Sequence, residues 1–71
     1  MHIKPSQFDV VALLADLPQH GLVRGQVGTV VDVLDGACEV EFSDDKGRTY
    51  AELSLRPAQL LVLHHRPLRA A

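Results

Sequence analysis

The side chains that could do chemistry in this sequence are four histidines, one cysteine and a group of carboxylates in the middle of the chain. A zinc site needs three or four such ligands that converge in space. His64 and His65 are adjacent, and in an extended segment they point to opposite faces, so they cannot chelate a metal as a pair. His2 lies in the first residues, and His20 is interpreted as a loop residue packed against one end of the fold. We therefore predict no metal site and no cofactor.

Cys38 is the single thiol of the chain, and it alternates with Val40 and Phe42 in a stretch where every second residue is apolar. A nucleophilic cysteine needs an activating base and an accessible, electropositive setting. The alternation places Cys38 in the core instead, and its neighbour Glu39 is acidic. We predict a buried, unreactive thiol. A lone thiol also fits a reducing compartment, so the expected location is the cytoplasm.

The middle of the chain is acidic. Seven acidic and two basic residues between Asp32 and Glu52 give this segment a net charge of −5, whereas residues 53–71 carry three arginines and no acid. General acid–base catalysis needs a carboxylate with a raised pKa in a cleft, but carboxylates in turns and on strand surfaces are usually well hydrated. We therefore predict an acidic face and no enzymatic activity. The carboxylates considered are Asp32, Glu39, Glu41, Asp44 and Asp45.

These residues must be positioned by short strands, because apolar periodicity divides the chain into five short runs. Phe8–Leu17 is the first run. Its β-branched Val10 and Val11 and the closing Pro18 favour a strand, whereas the alanines and leucines after Val11 leave a helical turn possible. Ala37–Ser43 alternates strictly between apolar and polar residues, which is typical of a half-exposed antiparallel strand. The other predicted strands are Val27–Leu34, Arg48–Leu55 and Leu60–Leu63.

Turn signals connect the strands. Pro18–Gly28 is a long loop with three glycines, and Asp35-Gly36 is a strong signal for a two-residue hairpin. Asp44–Gly47 reads as a second tight turn, and Arg56–Gln59 reads as one helical turn. Five strands in 71 residues need closure to hide their edges. We therefore predict an all-β, five-stranded SH3-like barrel over residues 8–63, with a long first loop, one helical turn before the last strand, and flexible ends at 1–7 and 64–71.

Several segments of the sequence resemble a family. They are the DVVALL start, the DLP-x-HGL-x-RGQVGTVV segment, the EVEFSD-x-x-GRTYA segment and the leucines before residue 64. Over residues 8–63 the chain resembles the bacterial domain-of-unknown-function family number 4926. The resemblance implies a small SH3-like fold and, because the family has no assigned activity, no catalytic residues. The GQVGTVV stretch is also similar to KOW-type ribosomal barrels and nitrile hydratase β-subunits, a likeness that any such barrel shows.

The sequence is compatible with three functional hypotheses from different classes. The first is a non-catalytic protein-interaction module that uses a sheet edge or the loop residues His20, Leu22, Val23 and Arg24, and that binds another protein or a copy of itself. The second is an acidic neutralising partner in a toxin–antitoxin or phage-defence pair. The third is a KOW-like nucleic-acid-binding barrel, which the net charge of −2 and the 4% aromatic content disfavour. We expect no membrane association, because no apolar stretch is long enough to span a bilayer. We also expect no small-molecule substrate.

Overall fold

The computed structural model describes residues 4–67. Its five strands form one antiparallel sheet in the order β4-β3-β2-β1-β5. The all-β prediction with five strands is confirmed, and so is the helical turn before the last strand. The strands are β1 (Val10–Leu13), β2 (Val27–Leu34), β3 (Ala37–Ser43), β4 (Thr49–Leu55) and β5 (Leu60–Val62), and two short 3₁₀ helices cover Pro18–His20 and Pro57–Gln59.

Strand β1 is shorter than the apolar run that predicts it. The run extends from Phe8 to Leu17, but the strand ends at Leu13 and the chain then bends. After the strand, the backbone N–H of Leu14 donates to the carbonyl of Gln59, and the carboxylate of Asp16 accepts from the N–H of Arg24. These bonds turn the chain toward the long loop, so the second half of the apolar run forms neither a strand nor a helix.

The three-stranded meander β2–β3–β4 has the predicted turns. Asp35 and Gly36 both have positive φ (51° and 79°), as a type I′ hairpin turn requires. A β-bulge interrupts the pairing of β2 with β3, because Val30 pairs with Val40 whereas the next paired residue of β2 is Asp32. Val31 is therefore an extra residue in β2, and a bulge of this kind bends the strand. The bulge is not visible in the sequence pattern.

The core shows how far the sheet curls. Its buried residues include Leu55 of β4 and Leu60 of β5, the two edge strands of the sheet. Two edges can share one core only if the sheet bends round on itself, so the fold is a barrel that is not fully closed by hydrogen bonds. The buried cluster comprises Val11, Leu13, Leu22, Val30, Cys38, Val40, Phe42, Leu55 and Leu60.

The predicted flexible ends lie partly outside the described residues, namely at 1–3 and 68–71. Within residues 4–9 the structure shows a buried Pro5 and a hydrogen-bonded turn from Ser6 to Asp9. His64 and His65 follow β5 and are both exposed. Whether these ends are flexible remains a prediction.

Candidate functional site

The loop between β1 and β2 contains the four residues predicted to bind a partner, and the structure separates them. Leu22 is only 2% exposed and belongs to the core, so it cannot contact another molecule. Val23 and Arg24 are exposed. His20 is also exposed, so the expectation that it packs against the end of the barrel is wrong. The chain turns at Gly21 (φ 68°), directly after His20, and leaves that side chain in solvent.

The same loop is held by side-chain hydrogen bonds. The N–H of Val23 donates to Oε1 of Gln26 over 2.9 Å, and the N–H of Arg24 donates to Oδ1 of Asp16 over 2.8 Å. The Nε2 group of Gln26 donates to the hydroxyl of Tyr50 on β4 over 2.8 Å. The loop is thereby linked to β4, an edge strand of the sheet. This hydrogen bond limits how far the loop can move when a ligand binds.

Cys38 is fully buried, as the alternation of β3 predicts. Burial raises the pKa of its thiol, and the negative charge of Asp9 raises it further. A protonated thiol without solvent access is a poor nucleophile. The geometry therefore supplies none of the features that an active cysteine needs.

Asp44 organises the turn between β3 and β4. Its Oδ1 accepts the backbone N–H groups of Arg48 and Lys46, each over 2.9 Å, and its Oδ2 accepts Nε of Arg48 over 3.2 Å. The hydrogen bond from the backbone of Arg48 is the main reason that the pKa of Asp44 is lowered. A carboxylate that is easily ionised and already hydrogen-bonded three times is suited to holding a turn, not to donating a proton.

Among residues 4–67, no three His, Cys, Asp or Glu side chains lie close enough together to hold a metal ion. The same part of the chain has no helix that is long and apolar enough to cross a membrane.

The outer face of the sheet, which is the face opposite the core, is acidic over β2, β3 and β4. Glu41 of β3 lies directly opposite Glu52 of β4, and Asp32 of β2 lies opposite Glu39 of β3. Like charges in directly opposed cross-strand positions destabilise a sheet, by roughly a few tenths of a kcal/mol to 1 kcal/mol. We call these four carboxylates the acidic half. The only salt bridge in residues 4–67 joins Arg48 to Asp44, so no lysine or arginine of this part neutralises them.

The outer face is apolar over β2, β1 and β5. Ala12 of β1 pairs with Val27 on one side and with Leu61 on the other, so the three side chains form one cross-strand row. Val27 is 48% exposed and Leu61 is 51% exposed, whereas the small Ala12 between them is nearly buried. Leu14, two residues further along the chain from Ala12, is exposed as well. We call this row and Leu14 the apolar half.

Strand β4 is the longer free edge of the sheet. It has seven residues and pairs only with β3, whereas β5 at the other edge has three. Within residues 4–67, no backbone group of another element bonds to the free side of β4. A strand edge of this kind presents unpaired N–H and C=O groups that can template another strand. β4 lacks proline and lysine, which often block such edges, and its one irregularity is a β-bulge at Tyr50, so the regular part of the edge runs over residues 51–55.

Phe8 is held in a strained and exposed position that the sequence pattern does not indicate. It has φ of 73° in the turn from Ser6 to Asp9, where the third position of a type II turn favours glycine. Its ring is 73% exposed. The turn is fixed by hydrogen bonds from Ser6 N–H and Oγ to the Asp9 carboxylate, and by the N–H of Phe8, which donates to the carbonyl of Val30 over 2.6 Å. Only the Ser-x-x-Asp spacing could have predicted the turn.

Replacing Phe8 with glycine is expected to stabilise the domain relative to Phe8→Ala, because both variants remove the ring but only glycine relieves the left-handed strain. The expected difference in the free energy of unfolding is about 1 kcal/mol. Urea denaturation followed by circular dichroism measures it for both variants and the wild type. Equal stability of Phe8→Gly and Phe8→Ala would show that the backbone is unstrained there.

The comparison with family models matches residues 7–62 to one family, described as Domain of unknown function (DUF4926). The matched segment begins before β1 and ends at the last residue of β5, so it covers all five strands. No similar curated protein and no similar solved structure was found. Because the family model covers most of the 71 residues, the chain belongs to the DUF4926 family.

Proposed function

We propose that this protein is a non-catalytic protein-interaction module that binds an extended segment of another protein along the free edge of β4. The observation that carries the proposal is the free edge of β4, which is regular over residues 51–55. In this mode of recognition, main-chain hydrogen bonds of the added strand supply affinity, and alternate side chains supply specificity. The bound segment extends the sheet by one strand and removes an edge that is otherwise open to solvent.

Two further features support a binding role. Eight large apolar side chains are exposed in the described part of the chain, compared with ten apolar residues in the core. Scattered apolar residues are ordinary on a protein surface, but the row of Val27, Ala12 and Leu61 is contiguous, and contiguous apolar surface favours contact with another molecule. The loop near β4 is also held in place by the Gln26–Tyr50 hydrogen bond, so the edge is presented by an ordered scaffold.

The alternative functions are less well supported. Nucleic-acid binding needs cationic or aromatic surface, whereas the outer face next to β4 carries Glu41 and Glu52. A role as the neutralising partner of a basic protein is compatible with that face and is a narrower form of the proposal. Self-association and a cytoplasmic location stay predictions.

Hydrogen exchange on β4 tests the proposal. Alternate backbone amides of an edge strand face solvent and exchange quickly, and an added strand slows them. We expect peptides selected from a random library on the immobilised domain to slow the fast amides between Thr49 and Leu55. The amides of β5 (Leu60–Val62), at the opposite end of the strand order, serve as the internal control and are expected to stay unchanged. A selection that yields no binder, or binders that slow amides elsewhere only, contradicts the proposal.

A further inference from the structure

We infer that the strand accepted by β4 carries lysine or arginine at every second position, with small apolar residues between them. This inference rests on the proposed function and names the chemistry of its partner. It follows from the two faces of β4, which differ in charge and in burial. Glu52 and Ser54 lie on the outer, solvent-exposed face, and Ala51 and Leu53 lie on the inner face.

The outer face selects the basic residues. A strand added beside β4 lies about 4.8 Å away, so its outward side chains stand next to Glu52. Glu52 in turn lies directly opposite Glu41 of β3. Lysine and arginine have long side chains, which reach across one strand as well as to the adjacent one. One basic residue can therefore approach both carboxylates and relieve the repulsion between them.

In the free protein, the carboxylates of Glu41 and Glu52 can still accept further hydrogen bonds. The hydroxyl of Thr49 donates to Oε1 of Glu41 over 2.6 Å, which is the only side-chain hydrogen bond that residues 4–67 give to Glu41. Within the same residues, Glu52 receives neither a side-chain hydrogen bond nor a salt bridge. Both carboxylates thus retain acceptor positions for an incoming ammonium or guanidinium group.

The inner face selects the residues in between. Ala51 and Leu53 are partly buried and pack against the core at the open side of the barrel. The side chains of an added strand that point inward continue this apolar layer. A charged residue at those positions would lose its hydration beside Leu53, so the partner should alternate strictly between basic and apolar residues.

A second copy of the chain is the wrong occupant for this edge. Pairing β4 with β4 of another copy would bring Glu52 of each molecule toward the acidic half of the other. Like charges in adjacent strands oppose such pairing. Charge complementarity therefore points to a different molecule, an extended basic segment of another protein.

The probe is a synthetic peptide of sequence KVKVKVK, compared with KKKKVVV, which has the same composition without the alternation. We expect the alternating peptide to bind at least about tenfold more tightly at low ionic strength and to slow the fast amides of β4. Fluorescence anisotropy with labelled peptides gives the affinities. Hydrogen exchange gives the location.

Two double variants distinguish the effect of the Glu41–Glu52 pair on binding from the effect of the net charge of the protein. Glu41→Gln with Glu52→Gln removes the paired carboxylates, and Asp35→Asn with Asp45→Asn removes the same charge from exposed turn positions. We expect the first pair to weaken binding of the alternating peptide about tenfold and the second pair less than about twofold. Thermal melting confirms that both double variants are folded.

The outcomes distinguish this inference from the proposed function. Equal affinity of the two peptides, or equal losses in the two double variants, overturns the inference, because binding would then depend on net charge alone. If the selected library peptides protect β4 but are neutral or acidic, the inference is overturned while the proposed function stands. If no peptide of any composition protects β4, both are overturned.

Discussion

Gly28→Ala is expected to lower the free energy of unfolding by about 2 kcal/mol, although alanine is normally the better strand residue. Gly28 lies in β2 on the core side, and its backbone needs no positive φ. A Cβ placed there would lie 2.8 Å from Cγ1 of Val40, 2.9 Å from Cδ1 of Phe42 and 3.0 Å from the carbonyl oxygen of Glu41. None of the three can withdraw easily, because both side chains are fully buried and the carbonyl belongs to β3.

Gly36→Ala is the matched control, since it adds the same methyl group where a Cβ would meet nothing within 4 Å. Its cost comes only from the positive φ of Gly36, about 1 kcal/mol. Urea denaturation gives both values. If Gly28→Ala is as stable as the wild type, the close approach of β2 to β3 is not as the structure describes it.

Phe42→Ala is expected to leave the protein largely unfolded at 25 °C. Phe42 is fully buried, and its replacement by alanine should cost about 3 to 5 kcal/mol. That is comparable with the about 3 to 5 kcal/mol of stability that a single hydrophobic core supplies in a domain of fewer than about 80 residues. The same variant also removes the contact between the rings of Phe42 and Tyr50, whose centroids lie 6.5 Å apart.

The conservative variant Phe42→Leu keeps most of the apolar volume and should remain folded, with a loss of about 1 kcal/mol. Amide dispersion in a proton–nitrogen correlation spectrum distinguishes the two cases. A well-dispersed spectrum and a cooperative melt for Phe42→Ala would mean that the core does not depend on this ring.

Local signals in the sequence are sufficient to predict much of this fold. The strict alternation of Ala37–Ser43 predicts which residues of β3 are buried, and Asp35-Gly36 predicts the hairpin before it. Both signals depend on neighbours in the chain. The end of β1 at Leu13 depends instead on hydrogen bonds to distant residues, such as the bond from Leu14 to Gln59, which no local pattern contains.

The candidate site is harder to predict for the same reason. Glu41 and Glu52 each look like ordinary surface residues in the sequence, and only the register of β3 with β4 reveals that they oppose each other. The Asp44–Gly47 turn does not indicate that register, because Ser43 pairs with Thr49 whereas Phe42 pairs with Ala51, so Tyr50 is an extra residue in β4. The bulge at Val31 hides the corresponding pairing of Asp32 with Glu39, because it shifts every later residue of β2 by one position.

The pairing of β1 with β5 has a consequence for how the domain can be joined to other proteins. Val11 lies opposite Val62, and the N–H of Leu63 donates to the carbonyl of Val10 over 2.8 Å, so the chain enters and leaves the barrel at one place. A domain whose two ends meet can be inserted into a surface loop of a host protein without pulling the host apart. β4 lies at the other end of the strand order from β5, and within the described residues no strand pairing joins these two strands. A host protein could therefore contain the barrel as an inserted domain, with the edge of β4 still free to bind a partner.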